Sequence, residues 1–585
     1  MNFVSKLSWF FRERAAHYAL AIGVLILVNL MAVIPPRIIG SVIDSIRTST
    51  LTAEELGRTV LFLVGLSVFV YLLNLVWVNT LFGNSAVLES DLRSKLFRHL
   101  LRMTPSFFHR NRTGDLMALA TNDVVAISQT AGFGVLTLVS TLVGTSIVLV
   151  TMVVFIDYKL MLAALIPLPF LAIAINVLGK RMRMRFMEAQ ASFGRMNDHA
   201  VESISGLRVL RSYVQESRDL HAFDQVTGNV MEMNRKVAVV NSLFQPVIST
   251  IVGVSYAIGI GYGSYLVFHT ELTLGQLVSF NIYLGMLIWP MISFGEFINI
   301  LQRGSASADR MYQSFAQKAD VSESEKPLAV DLPISIEFEG LTFRYPNAAS
   351  DSLSDVAFRL NRGQTLGIVG RTGSGKSTLL KQLLRQYPIE QNKLLLTGVP
   401  IERINLDKLK SWIGYVPQEH LLLSKSIREN IMLGMEGAPP ERLDEAVTLA
   451  SLREDIALMK EGLDTVIGEY GVMLSGGQKQ RVSIARAVLA DPEILILDDA
   501  LSAVDARTEA RILENIRRER AGKTTLIATH RLSAVSHADL ILVFEDGRIA
   551  ERGTHEQLMS QGGWYKEQVE RQQMESSLMS ELEKE

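Results

Sequence analysis

Residues 370–377 read GRTGSGKS, framed by the apolar run TLGIV at 365–369 and the helical pattern TLLKQLL at 378–384. The eight residues fit G-x4-G-K-[ST] in the order that pattern requires: strand, glycine loop, helix. Glycines let main-chain N–H groups approach phosphate oxygens, and a helix N-terminus adds positive potential behind them. Gly370, Arg371, Thr372, Gly373, Ser374, Gly375, Lys376, Ser377 and Thr378 are therefore a candidate nucleotide cradle. Within it Lys376 offers a point charge to the β- and γ-phosphates and Ser377 a hydroxyl to Mg2+. From ISIEFEGLTFRYP at 334–346 onward, short apolar strands alternate with amphipathic helices, the pattern of an α/β fold.

Downstream, LSGGQ at 474–478 precedes KQRVSIARAVL, a helical run. The amides of Leu474, Ser475, Gly476, Gly477 and Gln478 at a helix start form a second phosphate-binding surface. One nucleotide does not need two such surfaces unless the second serves another molecule. Then comes ILILDDALSAVD, 494–505, four apolar residues followed by Asp498 and Asp499, which reads as a buried strand ending in two carboxylates.

Upstream the character changes. The chain has 585 residues, 48% hydrophobic and 20% charged, but the long apolar runs all stop near residue 302. A helix needs about 20 apolar residues to cross a bilayer. Six runs qualify, near 17–35, 59–81, 134–156, 159–179, 246–268 and 275–301. The segments between runs two and three and between four and five are rich in Arg and Lys, whereas 157–158 and 269–274 carry neither. Both termini and the long segments are thus expected in the cytoplasm of a multi-pass cell-membrane protein. Apart from Pro105 those segments lack proline, so spans two to five should continue as helices beyond the bilayer. MNFVSKLSWFFRERAAHY reads as an interfacial elbow rather than a cleaved signal. A net charge of −2 gives nucleic-acid binding no support, and zero cysteine excludes disulfides, thiolate metal sites and thiol nucleophiles. The expected organisation is a six-helix membrane domain over 1–303, a linker over 304–334, an α/β nucleotide domain over 335–570 and a charged tail over 571–585.

In this order the motifs resemble the nucleotide-binding domain of an ATP-binding cassette protein, and the six spans before one cassette resemble an exporter half-transporter. The resemblance implies ATP and Mg2+ as ligands. It implies an adenine-stacking role for Tyr345 in FRYP and a metal and water contact for Gln418 in YVPQ. It implies a metal-side role for Asp498, a dimer-contact loop at Asp505 in SAVD, and a switch role for His530 in ATHR. FFHRNRTGDLMALATNDV at 107–124 and ISGLRVLRSYVQE at 204–216 resemble the two intracellular loops whose short helices meet cassettes, and Glu469 lies in the export-type loop before the signature. Such engines hydrolyse ATP between two cassettes, each phosphate loop facing the other's signature, so a second half-transporter in the same bilayer is implied.

At Asp499 the family usually has glutamate. A base must come within about 2.6–3.2 Å of its proton, and aspartate is shorter by one C–C bond, roughly 1.5 Å. The site on this chain's own phosphate loop should therefore hydrolyse poorly, while its LSGGQ is intact. That asymmetry favours a heterodimer over a homodimer, and resembles the smaller subunit of heterodimeric bacterial multidrug exporters acting on amphipathic drug-like substrates. A lipid or peptide flippase, or a regulatory half-subunit without pumping of its own, are the rival readings. Glu296, an ionisable residue inside span six, is the candidate on the substrate path.

Overall fold

The computed structural model describes residues 3–324, 326–346, 348–468 and 473–582. The chain divides into two compact units, Met1–Leu101 with Thr113–Gln317, and Arg102–Arg112 with Lys318–Glu585.

In the first unit six helical spans run Ala15–Arg47, Ala53–Leu100, Thr113–Phe155, Tyr158–Ser205, Glu216–Phe268 and Leu274–Ala316. Each matches one of the expected apolar runs, the third stopping one residue short at Phe155, and spans two to five are 43 to 53 residues long, well beyond bilayer thickness. The second span is one unbroken helix opened by a capping box, in which Thr52 Oγ1 accepts from the Glu55 amide at 3.2 Å and Glu55 accepts from the Thr52 amide at 3.1 Å. Pro35 and Pro36 mark the joint in the first span, where Ile34–Arg47 restarts. The N-terminal segment forms two short helices, Phe3–Lys6 and Ser8–Glu13, with Trp9 under the Lys95 ammonium at 3.0 Å.

Span three departs from plain α-helix. It contains three wide π turns, Leu119–Asp123, Thr130–Gly134 and Ser140–Gly144. Its small and hydroxylated residues let neighbouring backbones come close. Ser85 and Ser128 share a hydrogen bond at 2.8 Å, and Thr130 donates to the Ile300 carbonyl at 3.1 Å. A Cβ on Gly304 would lie 2.0 Å from Thr130 Oγ1, so spans three and six touch there because Gly304 has no side chain. Asp123, buried on the first π turn, accepts from Ser307 at 2.7 Å and pairs with Arg310. Glu296 lies exposed on the helix Ile288–Ala316, which runs on into the 304–334 stretch.

Among the described residues the second unit holds ten strands: β1 (Ser335–Phe343), β2 (Leu353–Asn361), β3 (Thr365–Gly370), β4 (Leu394–Leu396), β5 (Val399–Pro400), β6 (Ile413–Val416), β7 (Ile494–Asp498), β8 (Thr524–Ala528), β9 (Leu540–Glu545) and β10 (Arg548–Gly553). One sheet has the order β2-β1-β4-β5 and is antiparallel. The other has the order β10-β9-β3-β8-β7-β6 and is parallel from β9 to β6. All five residues of β7 are buried, which is why it reads as an unbroken apolar run. In such sheets ligands gather at the carboxyl ends of the strands. Residues 370–377 leave β3, Asp498 ends β7 and His530 follows β8, and these three strands are adjacent. The helix Trp564–Leu582 passes unbroken through the expected boundary at 570.

Candidate functional site

The loop after β3 is shaped by backbone that only glycine tolerates. Gly370 has φ 146° and a Cβ there would meet the Phe544 carbonyl at 2.2 Å; Gly375 has φ 106° and would meet the Ser352 carbonyl at 2.7 Å. Gly375 caps the helix Lys376–Leu383, whose first-turn amides have no acceptor within the helix. The Ser374 hydroxyl is buried without a partner among the described residues, an orphan that a phosphate oxygen would satisfy. Lys376 Nζ donates to the carbonyls of Gly370 at 2.8 Å and Arg371 at 2.9 Å. Burial lowers its pKa, and the charges of Asp499 and Asp498 work against that. Thr378 accepts from the Tyr345 hydroxyl at 3.1 Å, and the Tyr345 ring stands edge-on to Phe343 and Tyr387, each at 5.0 Å.

Asp498 is the buried anchor. It accepts from Ser377 Oγ at 2.8 Å on one oxygen and from the Tyr415 hydroxyl of β6 at 3.4 Å on the other. Burial raises its pKa despite the Ser377 bond, so two oxygens with this little compensation suit a cation. Asp499 has φ 49° and donates its amide to the Ala528 carbonyl at 2.8 Å; aspartate enters this left-handed region more readily than most residues. His530 is within electrostatic reach of both Lys376 and Asp499, and its pKa is lowered, first by burial and then by Lys376. Gln418 is exposed, and no hydrogen bond among the described residues joins it to this group.

Ser475 caps the helix Gly476–Leu489 with a capping box closed by Gln478, at 3.2 and 3.0 Å. Ser475 and Gly476 are exposed. A Cβ on Gly477 would meet the Ala503 carbonyl at 2.8 Å, so this glycine lets the loop after β7 pack on the helix start. Leu474 is buried beneath it. Asp505 caps the next helix, Ala506–Glu519, accepting from the Thr508 amide at 2.9 Å, which lowers its pKa.

Family comparison assigns residues 18–291 to the ABC transporter transmembrane region and 353–502 to the ABC transporter domain. The "Probable multidrug resistance ABC transporter ATP-binding/permease protein YheI" of Bacillus subtilis (strain 168) is 51% identical, over 98% of each chain. The chain belongs to the ABC exporters. "Multidrug resistance-like ATP-binding protein MdlA" of Escherichia coli (strain K12) is 40% identical over 99% of this exporter and 98% of its own length. An "ATP-dependent lipid A-core flippase" of Syntrophus aciditrophicus (strain SB) is 34% identical over 81% of this chain and 79% of its own. The "Structure of a bacterial Atm1-family ABC exporter with ATP bound" superposes with a TM-score of 0.77 at 25% identity, covering 96% of this chain and 98% of that one. The exporter is an ATPase coupled to transport across a membrane that it spans many times.

Two residues beside this candidate site escaped the sequence reading. Tyr415 was hidden because only the pairing of β6 beside β7 brings it to Asp498. His420 follows Gln418 by two positions, and that spacing was its one signal; both its ring nitrogens are buried without partners among the described residues, and burial lowers its pKa against the pull of Asp499. Glu469 lies outside the described residues. Of the two expected loops, the stretch 107–124 begins inside the short helix Pro105–Arg110 and passes into span three at Thr113; that short helix clusters with the cassette unit, and Thr104 donates to the Asp320 carboxylate. Burial would raise the Asp320 carboxyl, but the hydrogen bonding brings it below its ordinary value. The other, Leu207–Ser212, has no buried residue and exposes Leu207 and Val209, with Tyr213 and Val214 beyond it.

Proposed function

We propose that this exporter is one half of a heterodimeric multidrug efflux pump in the cell membrane, with both termini and the cassette in the cytoplasm. The observation that carries the reading is the pairing of Asp499, one methylene short, with an intact and exposed LSGGQ surface. ATP sits on the cradle 370–378, with Lys376 on its terminal phosphates and Tyr345 against its base. Mg2+, when bound, would be held by Ser377, Asp498 and Gln418 and would neutralise charge on the phosphate oxygens. His530 contacts the terminal phosphate and Asp499 orients water, but from too far back, since a misplacement of ~1 Å costs on the order of a hundredfold. Signature residues 474–478 complete the competent site of a partner that brings its own glutamate, and Asp505 lies at the joint between cassettes. A second subunit also supplies the cover that the apolar tip at Leu207–Ser212 lacks, and none of the most apolar stretch of spans two and five is buried within this chain.

The names of the relatives at 51% and 40% identity favour drug-like cargo over the lipid of the 34% relative. The test is an ordering of variants in the assembled complex. Asp499→Asn should leave most steady-state ATP turnover, because the slow site contributes little. Ser475→Ala or Gly477→Asp should remove most of it. Abolished turnover in Asp499→Asn with mild signature variants would show that this chain owns the working site. Substrate-stimulated ATPase with uphill efflux separates a pump from a regulatory half-subunit.

A further inference from the structure

The C-terminal helix Trp564–Leu582 is tied into the cassette at both ends of one face. Tyr565, Val569 and Gln572 recur at i, i+4 and i+7 and so share that face. Tyr565 and Val569 are buried in the core that also holds Leu532 and Val535. Glu551 receives the first amides of the helix, from Trp564 at 2.6 Å and Tyr565 at 3.3 Å, and the Tyr565 hydroxyl bonds His555 Nδ1 at 2.9 Å. Further along, Gln572 reaches the segment that follows β8. Its Nε2 donates to the His530 carbonyl at 2.8 Å and its Oε1 accepts from the Leu532 amide at 3.0 Å. One amide group thus grips the main chain on both sides of Arg531.

Arg531 passes that grip on. It donates to the carbonyls of Val504 at 3.0 Å and Ser502 at 2.9 Å and pairs with Glu509. The same loop is held from the signature helix, where Gln480 donates to Ser502 Oγ at 3.0 Å and accepts from the Ala503 amide at 2.9 Å. The His530 ring itself is held by no hydrogen bond among the described residues, so its aim depends on the backbone that Gln572 fixes.

We propose that Gln572 is a positioning residue of the ATP site: the C-terminal helix pins the backbone at 530–532 and thereby aims His530 at the nucleotide. The assignment rests on the reading of His530 as the switch histidine. A side chain that only packs would be replaced without loss by an isostere; one that acts through its amide would not.

The experiment uses the full-length chain in the oligomer it forms in its own membrane. Two readouts are taken: hydrogen exchange of the 530–532 backbone, and the rate at which a photo-crosslinkable ATP analogue leaves this chain's site. Gln572→Met keeps the volume and removes both hydrogen bonds. It should speed exchange across 530–532 and accelerate nucleotide release roughly three- to tenfold, the factor that one or two neutral hydrogen bonds give. Gln572→Glu keeps the acceptor and loses the donor, so the Leu532 amide should stay protected while release is still accelerated. In a His530→Ala background, Gln572→Met should add nothing. Wild-type release in Gln572→Met, alongside altered release in His530→Ala, overturns the proposal while leaving the switch reading intact. A silent His530→Ala removes the switch reading and the proposal together.

Discussion

Glu296 is the only acid within the six expected spans, and on the folded helix it is exposed rather than paired. A lone carboxylate at membrane depth is costly unless it meets water or a cation. If it faces the transport path, its charge is what a cationic substrate feels and a neutral one does not. Glu296→Gln should therefore weaken transport of cationic compounds by roughly fivefold, for about 1 kcal/mol of lost ion pairing, and leave neutral ones near wild type. Paired efflux assays in membrane vesicles check this, and equal effects on both classes would make Glu296 a structural residue. Asp499 was legible at the same scale, because a missing methylene is written in the sequence. Tyr415 was not: its hydroxyl matters only because parallel pairing sets Tyr415 beside Ile496, two residues before Asp498.

At the scale of elements, two short helices differ in what they lack. Thr104, just ahead of Pro105–Arg110, bonds Asp320, whereas Leu207–Ser212 has no buried residue and leaves Leu207 and Val209 exposed. On the proposed reading, the exposed apolar tip at the end of two long helices, Leu168–Ser205 and Glu216–Ser242, carries force into a second subunit. Val209→Pro removes a backbone donor and bends the helix, at about 3 kcal/mol or more. It should leave basal ATP turnover near wild type while abolishing substrate transport and its stimulation of turnover. Charge reversal at Arg110 should act in the same direction through the other loop. Retained transport at normal ATP stoichiometry would contradict the coupling role. The proline-free stretches foretold the length of these helices. The three π turns of span three were not foretold; at the second of them Thr130 meets Ile300 and Gly304 of span six, neighbours far apart in the chain.

Across the whole molecule, the cassette holds three histidines with depressed pKa values: His420 and His530 beside the candidate site, and His537, lowered by burial and then by Arg517. Their ordinary value is 6.5. As pH falls through it, the unfolded chain takes up protons that the folded cassette still refuses, so stability present above 6.5 is lost toward the lower folded values. Thermal unfolding of the purified exporter should shift to lower temperature just below that pH, and His537→Gln should flatten the slope. A wild-type profile without slope there would contradict the lowered values of these rings.

What the sequence determined alone were the features carried by short-range pattern. Six apolar runs mark spans because lipid admits backbone only as helix or closed barrel. GRTGSGKS marks a tight loop between strand and helix because its glycines take backbone that other residues resist, and β7 announces itself because both its faces are buried. Tertiary structure decided whatever depends on neighbours far apart in the chain. It set β3, β8 and β7 side by side, so that Lys376, Asp498, Asp499 and His530 share one field. It gave Gly304 its reason in Thr130. It turned residues 571–582, which read as part of a charged tail, into a continuing helix whose Gln572 holds the His530 backbone, because polar side chains gain a role only when folding brings them an unpaired carbonyl and amide.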